Sequence, residues 1–211
     1  MKKSFLLALL AGLFAGCATT STTGMNAEER RDRAQAVVPH WHTYSQVAAM
    51  KILEEYGPPD QIRSDRLVWY NKGPWNQIAV WNAAKSNSSG TVGPDDLGQT
   101  VAYDVPRGKR KALAAFSDKL AVSEEGTLLS VRGNSEALNI LALNLADDII
   151  RGDRSPDDAR SAYGRIYQLL QAGKSSPYTQ GLLFSPNDVM LPRSYEERSD
   201  FFTRPLHIWD Y

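Results

Sequence analysis

Few side chains in this chain have the reactivity or spacing to do chemistry. Cys17 is the only cysteine and directly follows Ala15-Gly16. A lone thiol can be acylated, can act as a nucleophile or can bind metal, but it has no partner for an internal disulfide. His40-Trp41-His42 would place two imidazoles on one face of a strand, half of a metal site. The third histidine, His207, is distant, and no His-Glu-x-x-His pattern occurs. The expectation is therefore a loop in which Trp41 packs, with no metal and no cofactor. Asp60 and Asp65 flank a run of aromatics, and a carboxylate pair brought together there could act on glycans. Isolated aspartates beside a turn more commonly cap or bond the backbone. Asp95-Asp96 sits in a Ser-, Asn- and Gly-rich stretch and reads as a solvated pair. Nucleophile-elbow, phosphate-loop and dinucleotide motifs are all missing, so no catalytic residue is assigned.

The elements around these residues begin with Lys2, Lys3 and an apolar run from Phe5 to Ala15, which together have the form of a secretory signal over residues 1–16. The run is too short to span a bilayer as a helix. Leu13-Phe14-Ala15-Gly16-Cys17 resembles the lipobox of bacterial lipoproteins, with Phe14 where an aliphatic residue is usual. The resemblance implies that Cys17 is lipidated, with diacylglyceryl and palmitate-type chains, and becomes the first residue of the mature protein. The membrane is then contacted through an anchor rather than a span. Lipidation would also consume the thiol and leave stability to core packing. Ala18 follows the cysteine, which by the enterobacterial sorting rule favours the periplasmic side of the outer membrane. Residues 17–25, small and polar, form a tether.

Hydrophobic content of 42% and charged content of 23% suit a globular domain. Basic and acidic residues balance at 24 each, and losing Lys2 and Lys3 tips the balance slightly negative, so nothing in the charge calls for nucleic acid. Asn26 caps a first helix that stops before Pro39. Ala49, Ile52, Leu53 and Tyr56 make one stripe of a second helix, closed by Gly57 and Pro58-Pro59. Runs of aromatic and β-branched residues on either side of Asn71-Lys72-Gly73-Pro74 predict a β-hairpin. Both of its faces are apolar, so it is either covered on both sides or offers a binding surface in Trp69, Tyr70, Trp75 and Trp81. Thr100 to Val105 reads as a strand, and Glu124-Glu125-Gly126 marks a second hairpin.

A long helix from Ser135 to about Arg151 is apolar nearly all round and should be the central core helix. Asn139 breaks its apolar surface: it either hydrogen-bonds the neighbouring sheet or a loop, or is the polar group of a pocket. Ser155-Pro156-Asp157-Asp158 opens the next helix, and Gly152-Asp153-Arg154 folds the two into an antiparallel pair.

Two segments resemble an uncharacterised family of bacterial lipoprotein-like sequences. One is Tyr56-Gly57-Pro58-Pro59-Asp60 with Leu67-Val68-Trp69-Tyr70-Asn71-Lys72-Gly73-Pro74-Trp75, and the other is the helix from Glu136 to Ile149. That family implies no activity to carry over. The region from Ala27 to Trp81 is also similar, through shorter motifs, to outer-membrane lipoproteins of the BamE/SmpA type. The second hairpin and the helix pair extend beyond that pattern.

The fold expected is α+β: an antiparallel sheet of two β-hairpins packed against a helical hairpin. Residues 26–174 form a single domain, and 175–211 an extended arm packed on it. The function expected is that of a non-catalytic cell-envelope lipoprotein, either interacting with another envelope protein or supporting the envelope. The alternative is a periplasm-facing glycan- or peptide-binding protein or hydrolase using the aromatic hairpin.

Overall fold

A computed structural model of the chain describes residues 24–83 and 94–187. Residues 1–23, with Cys17 and most of the stretch expected to be signal and tether, lie outside the described residues, as do residues 84–93 and 188–211. The architecture is α+β: a six-stranded antiparallel sheet with helices packed on it.

The first helix, α1 (Ala27–Val37), starts on a reciprocal cap in which Asn26 accepts from the Glu29 amide and Glu29 accepts from the Asn26 amide. A short 3-10 turn at Val38–His40 then leads into α2 (Thr43–Tyr56). Gly57 leaves α2 at φ 78°, a backbone setting that favours glycine. The strands β1 (Gln61–Ile62), β2 (Arg66–Lys72), β3 (Trp75–Trp81) and β4 (Leu97–Ala102) follow. Next come α3 (Arg107–Phe116), β5 (Leu120–Val122), β6 (Leu128–Gly133), α4 (Glu136–Arg151), α5 (Pro156–Gln171) and α6 (Pro177–Gln180).

The strand order is β1-β2-β3-β4-β6-β5, so β4 joins the β2–β3 and β5–β6 hairpins into one sheet. Register fixes two faces. Leu67 opposite Val80 and Trp69 opposite Ile78 continue through Leu97, Val101, Leu129 and Val131 into the face that meets the helices. The other face carries Val68, Tyr70 and Ala79, with Ala102 and Leu128 in a second small cluster. These residues are buried too, and neither cluster includes a helical residue among the described ones.

Helix α4 buries 12 of its 16 residues and is the core helix. Its polar stripe does not face water. Asn144 donates to the carbonyls of Tyr178 and Gly181 and accepts from the Leu183 amide. Asp147 accepts from the Tyr103 hydroxyl, and Asp148 from Arg151, Arg154 and the Tyr178 hydroxyl. The stripe is covered because the chain that follows α5 has unpaired backbone groups of its own and finds their partners there. The described part of the arm is thus pinned along α4, and Asn187 donates to the Ala102 carbonyl at the sheet.

Candidate functional site

A partly enclosed cavity of ≈ 310 Å³ lies where the end of β6 meets α3, α4 and α5. Its walls come from the inward-facing strand residue Val131, the helix end at Phe116, and Leu138 and Ala142 on α4. Two glycines shape it. Gly133 continues the inward face of β6 without a side chain, and the Asn139 Oδ1 rests against it so closely that a Cβ there would collide. Gly164 lies on α5, and a Cβ at that position meets no atom within 4 Å. Gly164 therefore leaves the α5 side of the space open, whereas the absent side chain at Gly133 makes room for the Asn139 amide.

Three side chains lining this cavity, Lys119, Arg160 and Tyr163, have donors to spare. Lys119 Nζ gives one hydrogen bond to Asp95 Oδ1 at 2.8 Å and retains two N–H groups. Arg160 donates to the Ala115 carbonyl and to Asp157, leaving three of its five N–H groups. The Tyr163 hydroxyl has no protein partner among the described residues. Burial first, then the Asp95 charge, pushes its phenol up to about 12, so it stays a donor at neutral pH. Asn139 is 1% exposed; its Nδ2 donates to the Leu97 carbonyl at 3.2 Å and to Gln99 Oε1 at 3.0 Å, and its Oδ1 has no hydrogen-bond partner. Asn139 thus ties α4 to β4 and also lines the cavity. Among the described residues no carboxylate lines it. Arg132 is near, but alternation along β6 turns its side chain to the other sheet face, where the guanidinium sits 4.4 Å from the Trp81 ring centroid.

The aromatic hairpin is built differently. Trp69 is fully buried, Trp75 is 2% exposed and Tyr70 is 4% exposed. Trp69 Nε1 donates to the Gly57 carbonyl, and Trp75 Nε1 to Glu136 Oε1 and the Tyr56 hydroxyl oxygen. The Tyr56 hydroxyl in turn donates to Glu136 at 2.6 Å, and burial with that carboxylate holds its phenol above the usual range. Tyr70 accepts from Gln61 Nε2. Trp81 alone is half-buried, beneath Arg132. Trp69, Tyr70 and Trp75 are therefore part of the packed fold, and both buried indoles point their polar atom at an internal acceptor.

Comparisons of the chain with protein-family models, curated proteins and solved structures return no match.

The remaining residues singled out by sequence are placed apart. Asp60 accepts from the Tyr70 amide and donates its own amide to the Val68 carbonyl, so it closes the β1–β2 edge. The Asp65 carbonyl accepts from Asn82. Trp41 is buried and donates to the Ser64 carbonyl, while His40 and His42 are exposed. Among the described residues no group of three or more His, Cys, Asp or Glu is placed to hold a metal.

Asp96 departs from the solvated pair expected. It is 2% exposed beside Ser45 of α2, and desolvation, the largest effect, raises its carboxyl to about 6, opposed by the Ser45 hydrogen bond and by Arg132. The structure also exposes Tyr44, Val47 and Met50 along α2, the main apolar row left on the described surface.

The cavity residues Lys119, Tyr163, Arg160, Gly133 and Gly164 carry no motif. The one local sign was Gly164, an isolated glycine inside a helical run.

Proposed function

We propose that the chain is a lipid-anchored protein of the bacterial cell envelope, on the periplasmic side of the outer membrane, with a non-catalytic domain that binds a ligand or partner. The anchoring half of this reading rests on the lipobox-like Leu13-Phe14-Ala15-Gly16-Cys17 and on Ala18. No helix among the described residues is long and apolar enough to cross a membrane.

The binding half rests on one observation: the cleft between β6, α4 and α5 combines apolar walls with side-chain donors not fully used by the protein. Ligand sites have this composition, a largely apolar hollow with a few convergent polar groups. The lining offers no base beside a nucleophile and no pair of carboxylates, and so favours recognition over turnover.

Mass spectrometry of the mature N-terminus tests the anchor. A diacylglyceryl group on Cys17, and release of Cys17→Ala protein from the membrane fraction, are expected; an unmodified terminus cut elsewhere would refute it. For the cleft, crosslinking in intact cells is compared between the wild type and Gly164→Leu, which puts a side chain into the space. Loss of a crosslinked species from folded Gly164→Leu protein is expected, and an unchanged crosslink pattern would refute the cleft as the site.

A further inference from the structure

The cleft's chemistry identifies the class of molecule that complements it. Resting on the binding reading above, we propose that it takes a small amphiphilic carboxylate, with the carboxylate held by Lys119, Arg160 and the Tyr163 hydroxyl and the apolar body against Phe116, Val131, Leu138 and Ala142.

Three observations carry this. Lys119, Arg160 and the Tyr163 hydroxyl have donors to spare, and the one buried acceptor of the lining without a partner, Asn139 Oδ1, is packed against Gly133. Spare donors select a ligand that presents acceptors, and cationic donors select a charged one. Lys119 and Arg160 each keep an acidic partner outside the cleft, Asp95 and Asp157, so the net field is modest. That suits a monoanion better than a phosphate, which would call for more uncompensated charge. Both ion pairs are partly exposed, and re-pairing their cations toward a ligand costs little. Finally, ≈ 310 Å³ with apolar walls is the low end of ligand-pocket size, room for an acylated amino acid or a medium-chain fatty acid.

A carboxylate of this kind comes from two sources, the C-terminus of a peptide or a free fatty acid, and the test separates them. The full chain carrying Cys17→Ala, so that no attached lipid competes, is titrated calorimetrically with N-acetylphenylalanine and its neutral amide, and with octanoate and octanol. At least one carboxylate should bind, about tenfold or more tighter than its neutral counterpart. Lys119→Met and Arg160→Met should each erase most of that preference while leaving neutral binding unchanged, and Gly164→Leu should abolish binding. N-acetylphenylalanine as the tighter carboxylate indicates a peptide terminus, and octanoate a fatty acid.

Equal affinity for a carboxylate and its neutral counterpart overturns the carboxylate assignment and leaves the cleft as a binding site. Failure of all probes to bind also overturns it, while the cell crosslinking comparison still decides the cleft itself. Binding that survives Gly164→Leu overturns both. Circular dichroism melts of each variant confirm that it is folded. A Cβ at Gly164 meets no atom within 4 Å and the Arg160 side chain is partly exposed, so neither substitution should unfold the domain.

Discussion

In the β2–β3 hairpin, both buried indoles donate to internal acceptors, Trp69 to the Gly57 carbonyl and Trp75 to Glu136. In the cleft beside β6, Lys119, Arg160 and Tyr163 all have donors to spare, and Gly164 leaves the α5 side of the space open. The hairpin contains the chain's most conspicuous residues and spends their polarity on holding α2, the sheet and α4 together. The cleft is assembled from ordinary residues on four separate elements. Large aromatic area signals binding only when it is left uncovered; covered and internally bonded, it is core.

That contrast is open to attack in several ways. Trp69→Ala should carry the largest penalty, about 3–5 kcal/mol by urea unfolding, because it leaves a cavity at the centre of the sheet and an unpaired Gly57 carbonyl. A loss under about 1 kcal/mol would mean that the hairpin is a surface after all.

Asp96 tests the far end of the same hairpin, where its carbonyl accepts from the Trp81 amide. Its carboxyl ionises more readily in the unfolded chain, near 3.8, than in the folded one, at about 6. The folded state therefore holds the proton more tightly. The stability this confers is complete below about pH 4 and is lost as pH rises through about 6, a fall on the order of 3 kcal/mol. Asp96→Asn should flatten that part of the pH–stability curve and be the more stable protein at pH 7. An unchanged curve would place Asp96 in contact with water.

Around the cleft, Gly133→Ala should cost about 1–3 kcal/mol by forcing Asn139 off its bonds to Leu97 and Gln99. Most of that cost should vanish in an Asn139→Ala background, because the two changes remove the same contact. Additive costs would show that Gly133 is small for some other reason. The smallest effect has the opposite sign: Gly164→Ala should stabilise by about 0.5–1 kcal/mol, since a helical glycine facing open space is replaced by a better helix former. Destabilisation there would mean that the cleft is filled in the folded protein.

Most of the fold could be read from local signals. Asn26, Gly57, Ser155-Pro156 and Gly152 mark helix ends by chemistry that acts within a few residues, and Glu124-Glu125-Gly126 marks the β5–β6 turn the same way. The strand β4 runs Leu97–Ala102, earlier than the Thr100–Val105 expected, because its pairing with β3 and β6 reaches back through Gly98 and Gln99. Local pattern does not report that pairing. That Asn144, Asp147 and Asp148 are covered is not legible locally, because helical periodicity cannot show that a later segment will lie over them. The cleft was the least legible part. Asn139 stood out as a polar residue on an apolar face, but Lys119, Arg160 and Tyr163 meet only through the packing of α5 on α4 and β6. Their sequence separations carry no trace of that meeting.

The most direct single measurement is a two-dimensional amide, indole and arginine side-chain NMR spectrum of the full Cys17→Ala chain, recorded while N-acetylphenylalanine is added. Shifts confined to Gly133, Ala142, Gly164 and the Arg160 side chain, with the Trp69 and Trp75 indole signals unmoved, are expected. Indole shifts at Trp69 and Trp75 with a silent cleft would contradict the assignment and return the binding site to the hairpin.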